Sequence, residues 1–264
     1  MKVPLIVVTD LDATLLDHFD YSFDAAHPAL KRLQALQIPL ILNSSKTRSE
    51  LLRLREKLHT KAPFIVENGA GIIIPQGKIL ASHSLGMNRA EILRVIHELR
   101  ARDGYQFTGF DDMSPEQVAE QTGLSLADAR LARQREFTEA LHWEDSETQL
   151  QRFGKSLQQH DMRLIRGGRF WHVTGTADKG KAIHFLRDYY QQQTHDIPTV
   201  IALGDSENDL PMLAAADYPV LVKSPARDYP AFQHPALIRT SDYGPAGWNQ
   251  AVLQLLTRLE AGHE

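Results

Sequence analysis

Short, fully apolar runs alternate with longer amphipathic stretches in the first part of the chain. Residues 4–9 read as a strand without polar alternation, the pattern of a strand covered on both faces. A helix pattern through Ala29–Leu36 follows, and then a second apolar strand, Pro39–Asn43, that runs into Ser44-Ser45-Lys46-Thr47. Leucines 51, 52, 54 and 58 mark another helix, and Phe64-Ile65-Val66 a third strand. This β-α-β-α-β order with short connections predicts a parallel sheet with right-handed crossovers. Glu67-Asn68-Gly69-Ala70-Gly71 precedes Ile72–Ile74, and Asn-Gly between apolar runs signals a hairpin turn.

The middle of the chain changes character. Its pattern is a helix over 89–102, strand-like residues 105–108, a long polar helical stretch over 115–135, and an apolar run over 137–143. A helix around 147–160 and strands at 162–165 and 169–173 complete it, which suggests an α+β insert. After Ala177 the strand–helix rhythm resumes, with a helix over 179–193, a strand over 199–203, a helix from Leu210 and a strand over 218–222. A terminal helix is expected after Pro245. The predicted plan is α/β: a doubly wound, mostly parallel, Rossmann-like sheet core from residues 1–82 and 178–264, with an α+β cap inserted over 83–177.

Composition narrows the classes. The 264 residues are 42% hydrophobic and 23% charged, ordinary values for a globular protein, and the formal net charge is −4. That balance argues against nucleic acid as a partner, and no apolar run approaches the roughly 18 residues that a membrane span needs. The absence of cysteine removes disulfides, thiolate nucleophiles and cysteine-held zinc, and fits a cytoplasmic protein. The first residues do not resemble a secretory signal.

Two acidic clusters each follow an apolar run. Asp10 and Asp12 end the first strand, and Gly204-Asp205-Ser206-Glu207-Asn208-Asp209 follows the run over 199–203. In such sheets ligands gather beyond the carboxyl ends of strands, so the two clusters read as one cation site with Asp10, Asp12, Asp205 and Asp209 as candidate ligands. Hard oxygen donors and an expected phosphate point to Mg2+. Asp10 could attack phosphorus, while Asp12 could protonate the leaving oxygen and then activate water. Ser44 ends the second strand and could bind phosphoryl oxygens, or act as a helix N-cap; Ser45 is its neighbour. Lys179 opens a helix, where a cation is locally disfavoured, so carboxylate or phosphate should hold it; Lys181, two residues on, reads equally as surface charge.

Asp10-x-Asp12-x-Thr14, Ser44, Lys179-Gly180 and Gly204-Asp205-x-x-Asn208-Asp209 together resemble the four motifs of the haloacid dehalogenase superfamily, in matching order across nearly the whole chain. The large inserted cap resembles the sugar-phosphatase branch. Ser44-Ser45-Lys46-Thr47, Glu67-Asn68-Gly69-Ala70, Phe110-Asp111-Asp112 and Gly168-Arg169-Phe170-Trp171-His172-Val173 are similar to mannosyl-3-phosphoglycerate phosphatases. The resemblance implies Mg2+-dependent hydrolysis of 2-O-mannosyl-3-phosphoglycerate to mannosylglycerate through an aspartyl phosphate, with catalytic Asp10, Asp12, Ser44 and Lys179. A glucosyl analogue, a phosphomutase on the same scaffold, and a non-enzymatic phosphate sensor are the alternatives. A small phosphorylated glycosyl-glycerate would be the partner of a monomer or homodimer. Its carboxylate calls for a guanidinium, from Arg169 or Arg166. Ser45, Glu67, Asn68 and His172 are further candidate substrate contacts; of Trp171 and His172, alternation lets only one face the site. Ala13 stands where the resembled family usually has Gly, a cost of about 1 kcal/mol if φ is positive there.

Overall fold

The computed structural model describes residues 4–166 and 170–261. The chain begins with β1 (Leu5–Thr9), α1 (His27–Ala35), β2 (Leu40–Leu42), α2 (Arg48–Lys57) and β3 (Phe64–Val66). The hairpin strands β4 (Gly71–Gln76) and β5 (Ile79–Ser84) follow. The insert holds α3 (Arg89–Asp103), β6 (Phe107–Gly109), α4 (Pro115–Thr122), α5 (Leu126–Ala132), β7 (Thr138–Trp143), α6 (Glu147–Gln158), β8 (Arg163–Arg166) and β9 (Trp171–Thr174). The last part comprises α7 (Lys179–Thr194), β10 (Thr199–Gly204), α8 (Leu210–Ala214), β11 (Tyr218–Lys223), β12 (Ile238–Tyr243) and α9 (Gly244–Ala261).

Five parallel strands form the main sheet in the order β12-β11-β10-β1-β2, as a doubly wound core requires. The unbroken apolar run of β1 is explained by its two covered faces. Val7 packs with Leu33 of α1 and Trp248 and Leu255 of α9, whereas Ile6 and Val8 pack with Ile183 and Leu186 of α7 and Leu213 of α8. The antiparallel sheet β3-β4-β5 extends this layer beyond β2 through a parallel bridge between Asn43 and Ile65. In the insert, β6-β7-β9-β8 form an antiparallel sheet, with α3 and α6 burying Val95, Ile96 and Phe153 against Leu141 and Val173.

Three local differences from the sequence reading have physical causes. The expected helix over 115–135 is two helices, because Gly123 ends α4 in the left-handed conformation (φ 77°) and Ser125 caps α5 by accepting from Asp128 N. The N-cap of α2 is Thr47, in a capping box with Glu50, and not Ser44. Strand β12 is not expected from the sequence, because it lies at the sheet edge and carries Arg-Thr-Ser-Asp within six residues, so no apolar run announces it.

The Asn-Gly signal does mark a hairpin turn between β3 and β4. Glu67, Asn68 and Gly69 all have positive φ, at 52°, 60° and 90°. The turn brings its backbone against the start of α7: a Cβ built on Gly69 would lie 2.2 Å from Asp178 O and 2.6 Å from Lys179 N. The Gly69→Ala variant should lose about 2 kcal/mol or more of stability, from the positive φ and the clash together. Urea denaturation of the two proteins measures it.

Candidate active site

The end of β1 is braced before it turns. Trp248 Nε1 donates to Thr9 Oγ1 at 3.0 Å, and Thr9 Oγ1 donates to Asp10 O at 2.6 Å. The chain then reverses through Ala13, whose φ is 61°, so the left-handed backbone that glycine would ease is present and the alanine carries its cost. Beside it, β10 pairs with β1 in parallel, Leu203 opposite Thr9, and delivers Asp205 to the same end of the sheet. Asp209 folds back under this loop. Its Oδ2 accepts from Asp205 N and Ser206 N, both at 3.1 Å, and from Ser206 Oγ at 2.9 Å. Gly204 leaves the room, since a Cβ there would come within 2.5 Å of Asp209 Cβ.

Lys179 fills the space between these two acids. Its Nζ lies 2.6 Å from Asp10 Oδ1 and 2.6 Å from Asp209 Oδ1, and the side chain is 1% exposed. The local penalty of a cation at the first residue of α7 is thus offset by two carboxylates, and by Asp178, whose side chain caps the helix. Burial works against the Lys179 ammonium, but Asp10 and Asp209 outweigh it and its pKa is raised. Burial pushes Asp10 up to about 8, with Lys179 opposing and Asp209, Asp205 and Asp12 adding to the rise. Asp205 is also raised, by burial first and then by Asp209.

Asp10, Asp205 and Asp209 each offer an oxygen within 4.8 Å of the others. Asp205 Oδ2 is buried without a hydrogen-bond partner among the described residues, and the donor set is all carboxylate, so these residues suit a hard divalent cation. Asp12, expected as a fourth ligand, stands outside this group: its Oδ2 accepts from Lys46 Nζ at 2.9 Å. Its Oδ1, like Thr14 Oγ1, is buried and has no partner among the described residues. Burial disfavours the Lys46 charge, but Asp12 and Glu50 overcome it and raise its pKa. Ser44 is buried at the end of β2, beside the end of β1, with its Oγ accepting from Lys46 N.

The residues expected to contact substrate separate into different environments. Glu67 is fully buried and its carboxylate is engaged inside the protein, accepting from Glu136 N (2.7 Å), Phe137 N (3.2 Å) and Thr138 Oγ1 (2.5 Å). It therefore ties the β3–β4 turn to the insert in place of the expected sugar contact. Asn68 Oδ1 accepts from Asn208 Nδ2, linking that turn to the Asp205 loop. Ser45 gives its carbonyl to Arg135. Arg166 is exposed and lies over the Trp171 ring, 5.4 Å from its centroid; Arg169 lies outside the described residues. Trp171 packs with the apolar cluster under α3 and α6, which puts His172 on the opposite face of the insert sheet. Among the described residues the buried His172 Nδ1 has no partner, and burial, with Arg135 adding, pushes its pKa down to about 3. Asp112 is held by Arg100, and Asp111 lies near Arg89, so both serve pairings within the insert.

Arg135 was not singled out in the sequence, where a short polar run gives no signal for it. It is 8% exposed and joins core to insert, donating to Thr138 Oγ1 at 2.7 Å and Ser45 O at 3.0 Å, beside Glu67 Oε2 at 3.7 Å. Thr47 Oγ1 to Leu131 O, Ser49 to Gln134 and Arg53 to Asp128 extend this seam along α2 and α5.

A family model described as haloacid dehalogenase-like hydrolase matches residues 7–228. A glucosyl-3-phosphoglycerate/mannosyl-3-phosphoglycerate phosphatase of Methanococcoides burtonii is 40% identical, the match covering 95% of this chain and 97% of that protein. One of the same description from Persephonella marina is 34% identical, covering 98% and 99%. In fold, the chain is similar to a phosphatase of the haloalkanoate enzyme superfamily from Bacteroides thetaiotaomicron, with a TM-score of 0.69, 19% identity and coverage of 96% and 95%.

Two measurements follow from this geometry. A carboxyl raised from 3.8 to about 8 favours the folded state below the lower value and loses that contribution as pH rises through the upper one. The cation-free protein should therefore lose thermal stability over that window, and a divalent cation should restore more of it at pH 9 than at pH 6, because protonated carboxyls bind no cation. Melting curves across pH with and without the cation read this, and Asp205→Asn should abolish the increment. Separately, Glu67→Ala strips its donors of their acceptor and leaves Arg135 without its anion, which should cost about 3 kcal/mol in urea denaturation.

Proposed function

The chain belongs to the haloacid dehalogenase-like hydrolases, and from that premise we propose that it removes phosphate from a glycosyl-3-phosphoglycerate. 2-O-Mannosyl-3-phosphoglycerate is the favoured substrate, and the glucosyl compound the alternative. One observation carries the reaction class: a buried lysine bridging Asp10 and Asp209 at 2.6 Å, with Asp205 closing a carboxylate group beside them. The descriptions of the two full-length relatives support the substrate.

In this reading an Asp10 oxygen forms a bond to phosphorus as the ester P–O bond breaks, and Asp12 gives its proton to the departing oxygen. Water then attacks the aspartyl phosphate, Asp12 takes the water proton, and inorganic phosphate leaves a free Asp10. Lys179 fixes the attacking carboxylate and, with the Ser44 hydroxyl, faces the phosphoryl oxygens. A magnesium ion held by Asp10, Asp205 and Asp209 would supply positive charge against the transferring group. Residues 1–82 and 178–264 serve as the catalytic core and 83–177 as a cap over the leaving group, although β5 (Ile79–Ser84) runs across the first boundary. His172, with an unpartnered nitrogen, is the cap side chain best suited to a sugar hydroxyl. A cytoplasmic setting fits a chain without cysteine.

A magnesium-dependent phosphate-release assay over a panel of phosphosugars and phosphoglycerates tests the proposal. Turnover should be greatest with the glycosyl-3-phosphoglycerates, and phosphate should be released to water, not passed to an acceptor sugar. Asp10→Asn should lower kcat by at least about 10,000-fold and Asp12→Asn by about 100- to 10,000-fold. Normal turnover by Asp10→Asn would rule out the covalent route, and cleavage of aryl phosphates alone would rule out the substrate.

A further inference from the structure

We propose that Lys46 reads the carboxylate of the leaving group, and so determines which phosphate monoesters the site accepts. The inference rests on the phosphoglycerate reading above. The cations near the acids differ in whether they have a contact to spare. Lys179 gives two donors to Asp10 and Asp209, and its third is the one that faces the phosphoryl oxygens. Arg135 is committed to Thr138, Ser45 and Glu67. Arg166 lies out on the β8–β9 hairpin, over Trp171. Arg227 is half-exposed and faces Asp205, on the side of the carboxylate group.

Lys46 is different. Its side chain is 25% exposed and, among the described residues, its one hydrogen-bond acceptor is Asp12, itself 44% exposed, so the pair stands at the mouth of the site while Asp10 and Lys179 close its floor. An ammonium has three donors, and among the described residues only Asp12 Oδ2 takes one. The Tyr21 ring centroid lies 5.8 Å from Nζ.

The chemistry of the leaving group supplies the second acceptor. If Asp12 protonates the ester oxygen of a 3-phosphoglycerate, that oxygen sits beside Asp12. The carboxylate, separated from it only by C3 and C2, then falls within reach of the adjacent Lys46. The ammonium would bridge two carboxylates at the mouth, as Lys179 does at the floor. A leaving group that lacks the carboxylate forgoes this charge-assisted contact.

The test compares 2-O-mannosyl-3-phosphoglycerate with its reduced analogue, mannosylglycerol phosphate, in which a hydroxymethyl group replaces the carboxylate. The wild type should prefer the acid in kcat/KM. Lys46→Met loses the Asp12 contact and lowers both values, so the ratio between the substrates isolates the second contact. That ratio should fall by about 10- to 100-fold, and Lys46→Arg should retain most of it. An unchanged ratio in Lys46→Met, or a wild type without preference, would overturn the role of Lys46 and leave the phosphatase reading intact. A wild type that releases phosphate from neither compound would instead overturn the phosphoglycerate reading itself.

Discussion

Lys179 puts one ammonium 2.6 Å from two carboxylates that arise far apart in the chain, Asp10 after the first strand and Asp209 near the tenth. Without that charge, three buried acids would face one another at the end of a sheet, a costly arrangement in a medium of low dielectric. The neighbouring backbone is fitted around this contact. Gly69 allows the β3–β4 turn to touch the start of α7, and Gly204 admits the Asp209 side chain beneath its loop. Gly180 lets α7 approach Pro211 at the start of α8. Each of these close approaches sets where the ammonium sits.

The insert is coupled to this floor through a second buried pair. Glu67 accepts from three consecutive residues at the start of β7, and Arg135 spans from the same strand to the carbonyl of Ser45. Both contacts join segments next to the carboxylate group, so the layer bearing His172 is registered against the strand ends that bear Asp10 and Ser44. An exposed salt bridge such as Arg53–Asp128 adds little to such a seam, whereas removing one member of a buried pair strands the other.

Much of the core was legible because its signals are local. The apolar run of β1 required two covered faces, and the alternation of strand and helix required parallel pairing. The acids after β1 and β10 also announced themselves, since strands in such a sheet end at the site. Lys179 was legible by contradiction, a cation where a helix disfavours one. What the sequence concealed depends on long-range partners. Glu67 reads in the sequence as a turn residue and a candidate substrate contact, yet it is fully buried because Glu136, Phe137 and Thr138 come to it from elsewhere. Asp12 looked like one more acid in the cluster, and only the fold reveals that Lys46 draws its carboxylate outward. Strand β12 was invisible for a different reason, as an edge strand needs no continuous apolar face.

The central position of β1 bears on how the chain matures during synthesis. Leu5–Thr9 can pair with β2 early, but its other edge must wait for Thr199–Leu203. Until that segment leaves the ribosome, one edge of β1 is unpaired, and Asp10 and Lys179 lack Asp205 and Asp209. The antiparallel sheet of the insert closes over far shorter loops and can form in the interval. A nascent chain would thus hold a folded lid before it holds a completed floor, and its unfinished sheet edge is the surface a chaperone would have to shield.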